Sequence, residues 1–597
     1  MVGLFVTLLA VAVRLAWIRL VPTRPVGDFA MYIESARYLA EHRSLDGEFI
    51  YMPGYVAVVA VIDALGGGLN AIKMIGVVAG GVTTAAVFGT TAVVFGRAAA
   101  IAAGLLCALW PAGIAVASVA GTDMPAAALL SVAVWLLARN AAERPLWAPA
   151  SFGLVLGLAA YVRAVALPLA ALAFLHFRAR GALWIHAITR TAAACFFAFL
   201  VLLPWGIRNH VVNGHFTMTD SHGGHTALVG ANPNSEGRYS RSLNRLFAEG
   251  TAYSLFAPPH DESDRAAYAL AKEWTRVDLA YAAGLLAAKA DRLLSHERPL
   301  LYWPVYRQSV LPEGSRQLAF FTTHRAEIER LVDWYWYGLV AAILIGIVAV
   351  VLRRNWVALS LLPMPLALTA LYTLFFGEAR YHLAIVALLL PFAGAGVVWA
   401  GELAQDVARR AIDRHRRPRL PLEVVTSAIV IGALFWGWPR LLAAGERARV
   451  RHRWAACVCK IDGVERVCAF RPTLPAPGQG TSPVRGVWDG FGLRLTEASV
   501  AAAALLELPA GSYRISAQAE AAGAMRLPTA IELRAGTATL ARVASPAGTT
   551  PITLAGVVAH PGGKLRLELA AGRESAPNTD EIPTLWFSQI AVEPDRH

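Results

Sequence analysis

Five charged residues interrupt apolar sequence in places where they could do chemistry: Asp28, Asp123, Arg163, Arg208 and Arg380. A carboxylate can take a proton from a hydroxyl, and such general-base assistance is worth about 10²–10⁴-fold in rate. A guanidinium stays charged at any relevant pH and offers an anion a planar, bidentate donor set. Each residue also has a plainer use. Asp28 can serve as N-cap of a short helix that carries Tyr32, Ala36 and Leu39 on one face. Asp123 precedes Met124-Pro125 and can cap the helix beginning there. Arg163 lies in an apolar stretch, where a charge is expensive and functional by default, yet close enough to a helix end to snorkel. Arg208 shares its helix end with Trp205, the composition of an interfacial anchor. Arg380 stands with Tyr381 and His382 between two apolar segments. Glu34 points away from the Tyr32 face and reads as solvated. His222 and His225 sit three apart beside Asp220 with no fourth ligand in view, so no metal site is predicted.

The frame that must position these groups is a membrane. Of 597 residues, 56% are hydrophobic and 16% charged, against about 25% charged in soluble proteins. The net charge of +13 does not point to nucleic acid, because the arginines flank apolar runs as topology signals and no nucleic-acid motif is present. Eleven segments, near 2–21, 70–95, 97–118, 124–141, 146–162, 164–178, 187–206, 333–352, 356–376, 382–402 and 421–440, are candidate spanning helices. The first is read as a retained helix, since no small-residue cleavage site follows it. The Arg-rich loops, from Arg97 through Arg139, Arg178, Arg353 and the run 409–419, belong in the cytoplasm. That puts the N-terminus inside, and Asp28, Asp123, Arg163 and Arg380 outside. The run from Tyr51-Met52-Pro53-Gly54-Tyr55 to Gly66 is short, opens on Pro53 and carries Asp63, so it is expected to be interfacial or re-entrant. If it spanned, the Asp28 loop would flip to the cytoplasmic side. Residues 207–332 form a large outer insertion with helix-like sequence around Asp264–Leu294. After 440 the chain turns to short alternating segments broken by Gly and Pro, the pattern of an extracytoplasmic β-sandwich over 441–597. There Trp454, Trp488, Tyr513 and Trp586 either stack on sugars or fill the core, and Cys468 can bridge to Cys457 or Cys459 in an oxidising compartment.

Several short motifs recur in order along the first 400 residues: Gly27-Asp28 with Tyr32 and Ala36, Met52-Pro53-Gly54-Tyr55, Gly121-Thr122-Asp123-Met124-Pro125 and Tyr161-Val162-Arg163. Pro204-Trp205-Gly206-Ile207-Arg208-Asn209, Gly230-Ala231-Asn232-Pro233 and Ala379-Arg380-Tyr381 continue the series. In these the sequence resembles polytopic glycosyltransferases of the GT-C fold, particularly the branch of dolichyl-phosphate-mannose protein mannosyltransferases and bacterial lipid A aminoarabinose transferases. The resemblance implies a polytopic α-helical GT-C domain over 1–440, with outer loops 22–69 and 207–332. It implies an inverting, mannosyltransferase-like enzyme of the cell envelope. The sugar would pass from a polyprenyl-phosphate carrier to a hydroxyl or amine-bearing group on a glycan, lipid or protein, at the outer face of the cytoplasmic membrane. Asp28 is then the expected base, and Asp123 orients the acceptor, assists Asp28 or binds a metal. Arg163, Arg380 and Arg208, with Tyr381 and His382, are the expected contacts to the donor phosphate. Tyr32, Tyr51, Pro53, Tyr55 and Asn232 are the expected substrate contacts. No tightly bound cofactor is expected, the lipid-linked sugar being the donor substrate. The reading from another class is a non-enzymatic transporter or flippase of a lipid-linked saccharide. A transporter tends to carry charges at the bilayer midplane and inverted repeats, whereas here the charges fall at helix ends and no repeat is found.

Overall fold

The computed structural model describes residues 1–45, 49–139, 147–231, 235, 237, 260–277, 279–412, 422–451, 455–461, 464–472, 492–495, 501–522, 530–544, 552–572 and 584–595. The chain falls into two compact units: Met1–Gly223, Pro258–Asp261 and Lys289–Leu442 form the first, and Gly224–Ala257, Glu262–Ala288 and Ala443–His597 the second.

The first unit is helical. Its opening elements are α1 (Val2–Leu20), α2 (Asp28–His42), α3 (Gly54–Ala64), α4 (Leu69–Phe95), α5 (Arg97–Ala108) and α6 (Pro111–Ala115). Next come α7 (Asp123–Arg139), α8 (Trp147–Val162), α9 (Leu169–Ala179) and α10 (Trp184–Asn213). The insertion supplies α11 (Gly223–Ala231), α12 (His260–Val277), α13 (Leu279–Leu294), α14 (Arg298–Tyr302) and α15 (Arg316–Thr323), which divide between the two units. The set closes with α16 (Arg325–Leu352), α17 (Trp356–Leu359), α18 (Pro363–Phe375), α19 (His382–Ile412) and α20 (Leu422–Arg451). Helix lies in each of the eleven predicted apolar segments. Six helices among the described residues are long and apolar enough to cross a membrane, seven if the bent pair α5–α6 is one span. The chain is a multi-pass membrane protein. The 11 residues of α3 rise only about 16 Å, half of the hydrocarbon thickness.

Two boundaries differ from the expectation. Helix α10 runs through Pro204 to Asn213, where Gly214 takes a left-handed φ of 75°, so Arg208 lies within the helix rather than at its end. Helix α16 starts at Arg325, eight residues early, because its polar first turns are paired along the helix, Arg325 with Glu329 and Arg330 with Glu327.

The span after α4 is broken, with a 52° bend between α5 and the turn that begins at Pro111. The bend leaves the last carbonyls of α5 without helical partners, and side chains from other helices supply them. Arg14, buried in α1, donates to the carbonyls of Ala108 at 3.2 Å and Cys107 at 3.3 Å. The Tyr335 hydroxyl of α16 donates to that of Leu106. Helices α16 and α19 meet at glycines: a Cβ on Gly346 would fall on the Phe392 carbonyl, and one on Gly396 on that of Ala342. Such small-residue contacts let membrane helices approach closely. Gly396→Ala is therefore expected to cost about 1–3 kcal/mol through overpacking, measured as a lowered unfolding midpoint in detergent. Gly338→Ala, with open space around its Cβ, is the control.

The second unit holds eight strands: β1 (Ala455–Ile461), β2 (Val464–Pro472), β3 (Gly492–Leu495), β4 (Ala501–Ala522), β5 (Ala530–Ala535), β6 (Ala538–Ala544), β7 (Ile552–Gly572) and β8 (Thr584–Pro594). Hydrogen bonds join them in one sheet of order β3-β8-β1-β2-β4-β7-β5-β6, with a further β8–β4 pairing. The long β4 borders β2 near its start, β7 along most of its 22 residues and β8 along its last ten. Period-two alternation places Tyr513, Ile515 and Ala517 in the core with Leu565, Leu567 and Leu569. Tyr513 is thus a core residue and not a sugar platform. Trp454, Trp488 and the side chain of Trp586 lie outside the described residues, as do the cysteine side chains of β1 and β2, where the register sets Cys457 opposite Cys468.

Candidate active site

Two carboxylate–arginine pairs converge where helix ends meet. Gly27, at φ 58°, takes the N-cap position of α2, and Asp28 becomes its first residue. A left-handed backbone is what glycine tolerates and other residues resist. The Asp28 carboxylate accepts a hydrogen bond from its own backbone amide. It reaches across the chain to Arg380, whose terminal nitrogen donates to Oδ2 at 3.0 Å. Arg380 lies in the turn Ala379–Tyr381 just ahead of α19. The second pair joins α7 to the end of α8: Arg163 forms an ion pair with Asp123 Oδ1 and donates from Nε to Thr122 Oγ1 at 3.0 Å. Both aspartates are first-turn residues, where the helix dipole favours a negative charge.

Tyr381 links the pairs. The guanidinium of Arg163 lies 4.9 Å from its ring centroid and that of Arg380 5.2 Å, within cation–π range. Tyr372 stacks on the same ring at 4.7 Å, and Phe376 meets it edge-on at 5.5 Å. Arg380 also rests 5.4 Å from the Phe29 ring. Two motif glycines make room for this. A Cβ on Gly121 would collide with Phe29, and one on Gly54 would come 2.7 Å from the carbonyl of Tyr161, two residues before Arg163.

The two carboxylates differ in exposure. The Asp123 side chain is 3% exposed and committed to Arg163, whereas that of Asp28 is 44% exposed and open to a reactant. Burial works to raise the Asp28 pKa, but the neighbouring Arg380 guanidinium, by charge and hydrogen bond, outweighs it and holds the carboxyl below its ordinary value. Asp28 is therefore ionised at neutral pH. Beside it Tyr32 contacts Tyr51 and Tyr55 edge-on, at 5.2 and 5.8 Å between centroids, and Tyr51 in turn meets Phe49 and His222. Burial first, and then the Asp28 charge, raise the Tyr32 and Tyr51 phenols above their ordinary pKa. The buried Tyr55 hydroxyl has no partner among the described residues. Pro53 is buried at the N-cap of α3 and aims this aromatic wall.

Of the residues singled out in the sequence, Asp28, Asp123, Arg163, Arg380, Tyr381 and Tyr32 come together, with Tyr51 and Tyr55 alongside. Arg208 lies over the Trp205 ring at 4.9 Å with a hydrogen bond to Asn209, contacts that suit an interfacial anchor. His382 is fully buried and both its ring nitrogens are engaged, by the Leu293 carbonyl and Glu297, so it does not present a donor to the site. Asn232 lies outside the described residues. His225 belongs to the second unit, where its Nδ1 lies 3.1 Å from Asp264 Oδ1, which also caps α11 through the Gly224 amide. Three neighbours went unnoticed in the sequence. Thr122 and Phe29 adjoin the aspartates, a signal that adjacency alone could have raised. Trp303, in a π-helical turn from Trp303 to Gln308, lies 5.4 Å from Phe29 and is 38% exposed.

Removing Arg163 strands a buried carboxylate. Arg163→Gln is expected to destabilise the first unit by about 3–5 kcal/mol, and Asp123→Asn by less, as read from unfolding midpoints in detergent. Their combination should recover part of the Arg163→Gln loss; equal and additive losses would refute a buried pair.

Residues 53–207 match the family model described as dolichyl-phosphate-mannose-protein mannosyltransferase. This is the family that the motifs resemble. The matched stretch contains Asp123 and Arg163; Asp28 and Arg380 flank it. Among solved structures, the chain is similar to the apo oligosaccharyltransferase of Archaeoglobus fulgidus, with 15% identity over 75% of this chain and 55% of that one at a TM-score of 0.41. It is similar to AglB from the same organism in complex with an inhibitory peptide and a dolichol-phosphate, with 14% identity over 75% and 56% at a TM-score of 0.39. A third is ArnT from Cupriavidus metallidurans bound to undecaprenyl phosphate, with 17% identity over 68% of this chain and 80% of that one at a TM-score of 0.31. The chain spans about half the length of the oligosaccharyltransferases it matches. No curated protein matches it.

Proposed function

We propose that this protein is an inverting glycosyltransferase that takes a sugar from a polyprenyl-phosphate carrier and passes it to a hydroxyl or amine-bearing acceptor at the outer face of a cytoplasmic membrane. The observation that carries the reading is the convergence of an exposed, ionised Asp28 with the Arg380 and Arg163 guanidiniums around Tyr381. The family-model match supports the transferase class.

In the step so defined, the acceptor oxygen attacks the anomeric carbon as the bond from that carbon to the phosphate oxygen breaks. The acceptor proton passes to Asp28. The electron pair of the broken bond stays on the polyprenyl phosphate, where a guanidinium can meet the growing charge bidentately. Arg380 is the first candidate, because a phosphate that draws it away from Asp28 also releases the carboxylate and makes it more basic. Arg163, held by Asp123 and Thr122, offers a fixed second charge. Tyr32, Tyr51 and Tyr55 form the wall against which a sugar ring would lie. In this reading the eleven apolar segments all span, the C-terminal sheet is extracytoplasmic, and the aromatic wall selects the sugar.

The test is a panel of polyprenyl-phosphate hexoses and pentoses offered to the purified protein in nanodiscs. The expected result is release of polyprenyl phosphate and a product of inverted anomeric configuration. Absence of turnover with every donor, together with translocation of labelled lipid-linked sugar in vesicles, would establish the transporter instead.

A further inference from the structure

Directly behind Arg380 and Tyr381, three fully or almost fully buried side chains form a closed polar cluster. The Trp110 indole N–H donates to Glu297 Oε1 at 2.6 Å. His382 Nε2 lies 3.1 Å from the same oxygen, and His382 Nδ1 lies 2.9 Å from the Leu293 carbonyl. The partners determine the protons. A backbone carbonyl only accepts, so Nδ1 carries a hydrogen; an indole only donates, so Oε1 accepts from it. A second hydrogen must lie between Nε2 and Oε1, or two lone pairs would face one another. Glutamate and histidine therefore form a unit of zero net charge. The imidazole stacks on the Trp336 indole at 5.1 Å and 9°, and the Trp110 ring lies 6.4 Å away at 24°. The Trp336 face lies within cation–π range of the ring. Glu297 Oε2 has no partner among the described residues.

Burying a pair of this kind is weak evidence for stability, since well-packed apolar side chains of the same volume usually do as well or better. Its place in the chain gives it another use. His382 directly follows Tyr381, so whatever holds its ring holds the turn that presents Arg380. Glu297 belongs to a strip that is tied down on both sides: Lys289 donates to the Leu374 carbonyl at 3.0 Å, Trp336 donates to the Ser295 carbonyl at 3.2 Å, and Arg298 chelates Asp333. Trp110 enters from the broken span, just before Pro111. Three separate parts of the chain thus meet on one carboxylate.

We propose that Glu297 is a positioning residue which, through His382, sets Arg380 and Tyr381 in the geometry that receives the carrier phosphate; this rests on the glycosyltransferase reading above. Misplacing a reactive group by about an ångström costs of the order of 10²-fold. Affinity for undecaprenyl phosphate is measured in nanodiscs alongside KM for its sugar-linked form, with undecaprenol, which lacks the phosphate, as control. In Glu297→Gln, KM and the dissociation constant for the phosphate are expected to rise together by about 10–100-fold, while undecaprenol binding changes little. His382→Gln should behave alike, and the double variant should be no worse than either single one, because the two act as a unit. Unchanged phosphate affinity in Glu297→Gln would overturn the proposal, whatever happens to stability. Should that variant fail to fold, Glu297→Asp and His382→Gln carry the same measurement. If the wild type itself binds no undecaprenyl phosphate, the functional reading falls and this proposal with it; binding that is normal in both proteins sinks the positioning role alone.

Discussion

Replacing Asp28 by Asn leaves the fold and carrier binding in place and slows sugar transfer by about 10²–10⁴-fold. The amide is nearly isosteric and its oxygen can still accept from Arg380, so the 3.0 Å contact across the chain is retained. What it cannot do is take the acceptor's proton. The loss should appear in kcat under single-turnover conditions, with KM for the donor within a few-fold of wild type, and Asp28→Glu should recover part of it. Because the side chain is 44% exposed, a stability change large enough to mimic this loss is not expected. Undiminished transfer by Asp28→Asn would remove Asp28 from the mechanism.

Arg380→Gln is expected to lose about 10²–10³-fold in kcat/KM, the scale of removing one donor from a developing oxyanion, and to move the acid limb of the pH–rate profile to higher pH. The direction follows from the two opposing influences on Asp28. Burial raises its pKa and Arg380 lowers it, with Arg380 prevailing. The wild-type carboxylate thus stays ionised until pH falls below the ordinary carboxylate range, about 3.9 for Asp. The stabilising contribution of the Asp28–Arg380 pair is present above that range and is lost as pH falls through the lower folded pKa. Without Arg380 the largest lowering influences are gone and burial is opposed only by His222 and the backbone amide, so the pKa rises and the base is lost to protonation at a higher pH. Arg380→Lys should keep part of the pH behaviour but less of the rate, since an ammonium lacks the planar fork. A loss of rate with no movement of the acid limb would separate Arg380 from Asp28 in the working enzyme.

The helices and the pairs at their ends were legible in the sequence for different reasons. Apolar runs determine helices almost alone in a membrane, where the backbone must satisfy itself. Asp28, Asp123, Arg163 and Arg380 were legible because a charge at the edge of an apolar run needs an explanation. Which arginine faces which aspartate was not, as the Asp28–Arg380 contact spans 352 positions of sequence. His382 misled by adjacency: it neighbours Arg380 in sequence, but α19 begins at that residue and turns its ring into the core. Glu297 gave no signal because it sits in a polar insertion full of charges, and only packing reveals that it is buried. The single sheet of the second unit was equally hidden, since alternation identifies strands without saying how many neighbours each will have.

Arg14 also bears on how the molecule comes to be. Its acceptors, the carbonyls of Cys107 and Ala108, lie 93 and 94 positions further along. At about 5–20 residues per second of synthesis, the first helix waits roughly 5–20 s for them. A guanidinium near a helix centre opposes insertion by about 2.5–3.5 kcal/mol. One further acceptor, the Ala10 carbonyl at 3.1 Å, lies within α1 itself, so until α5 is made the guanidinium has a single one of its three carbonyl partners. The break at Pro111 thus makes the carbonyls of a later helix part of the shell that an earlier one needs for its buried charge.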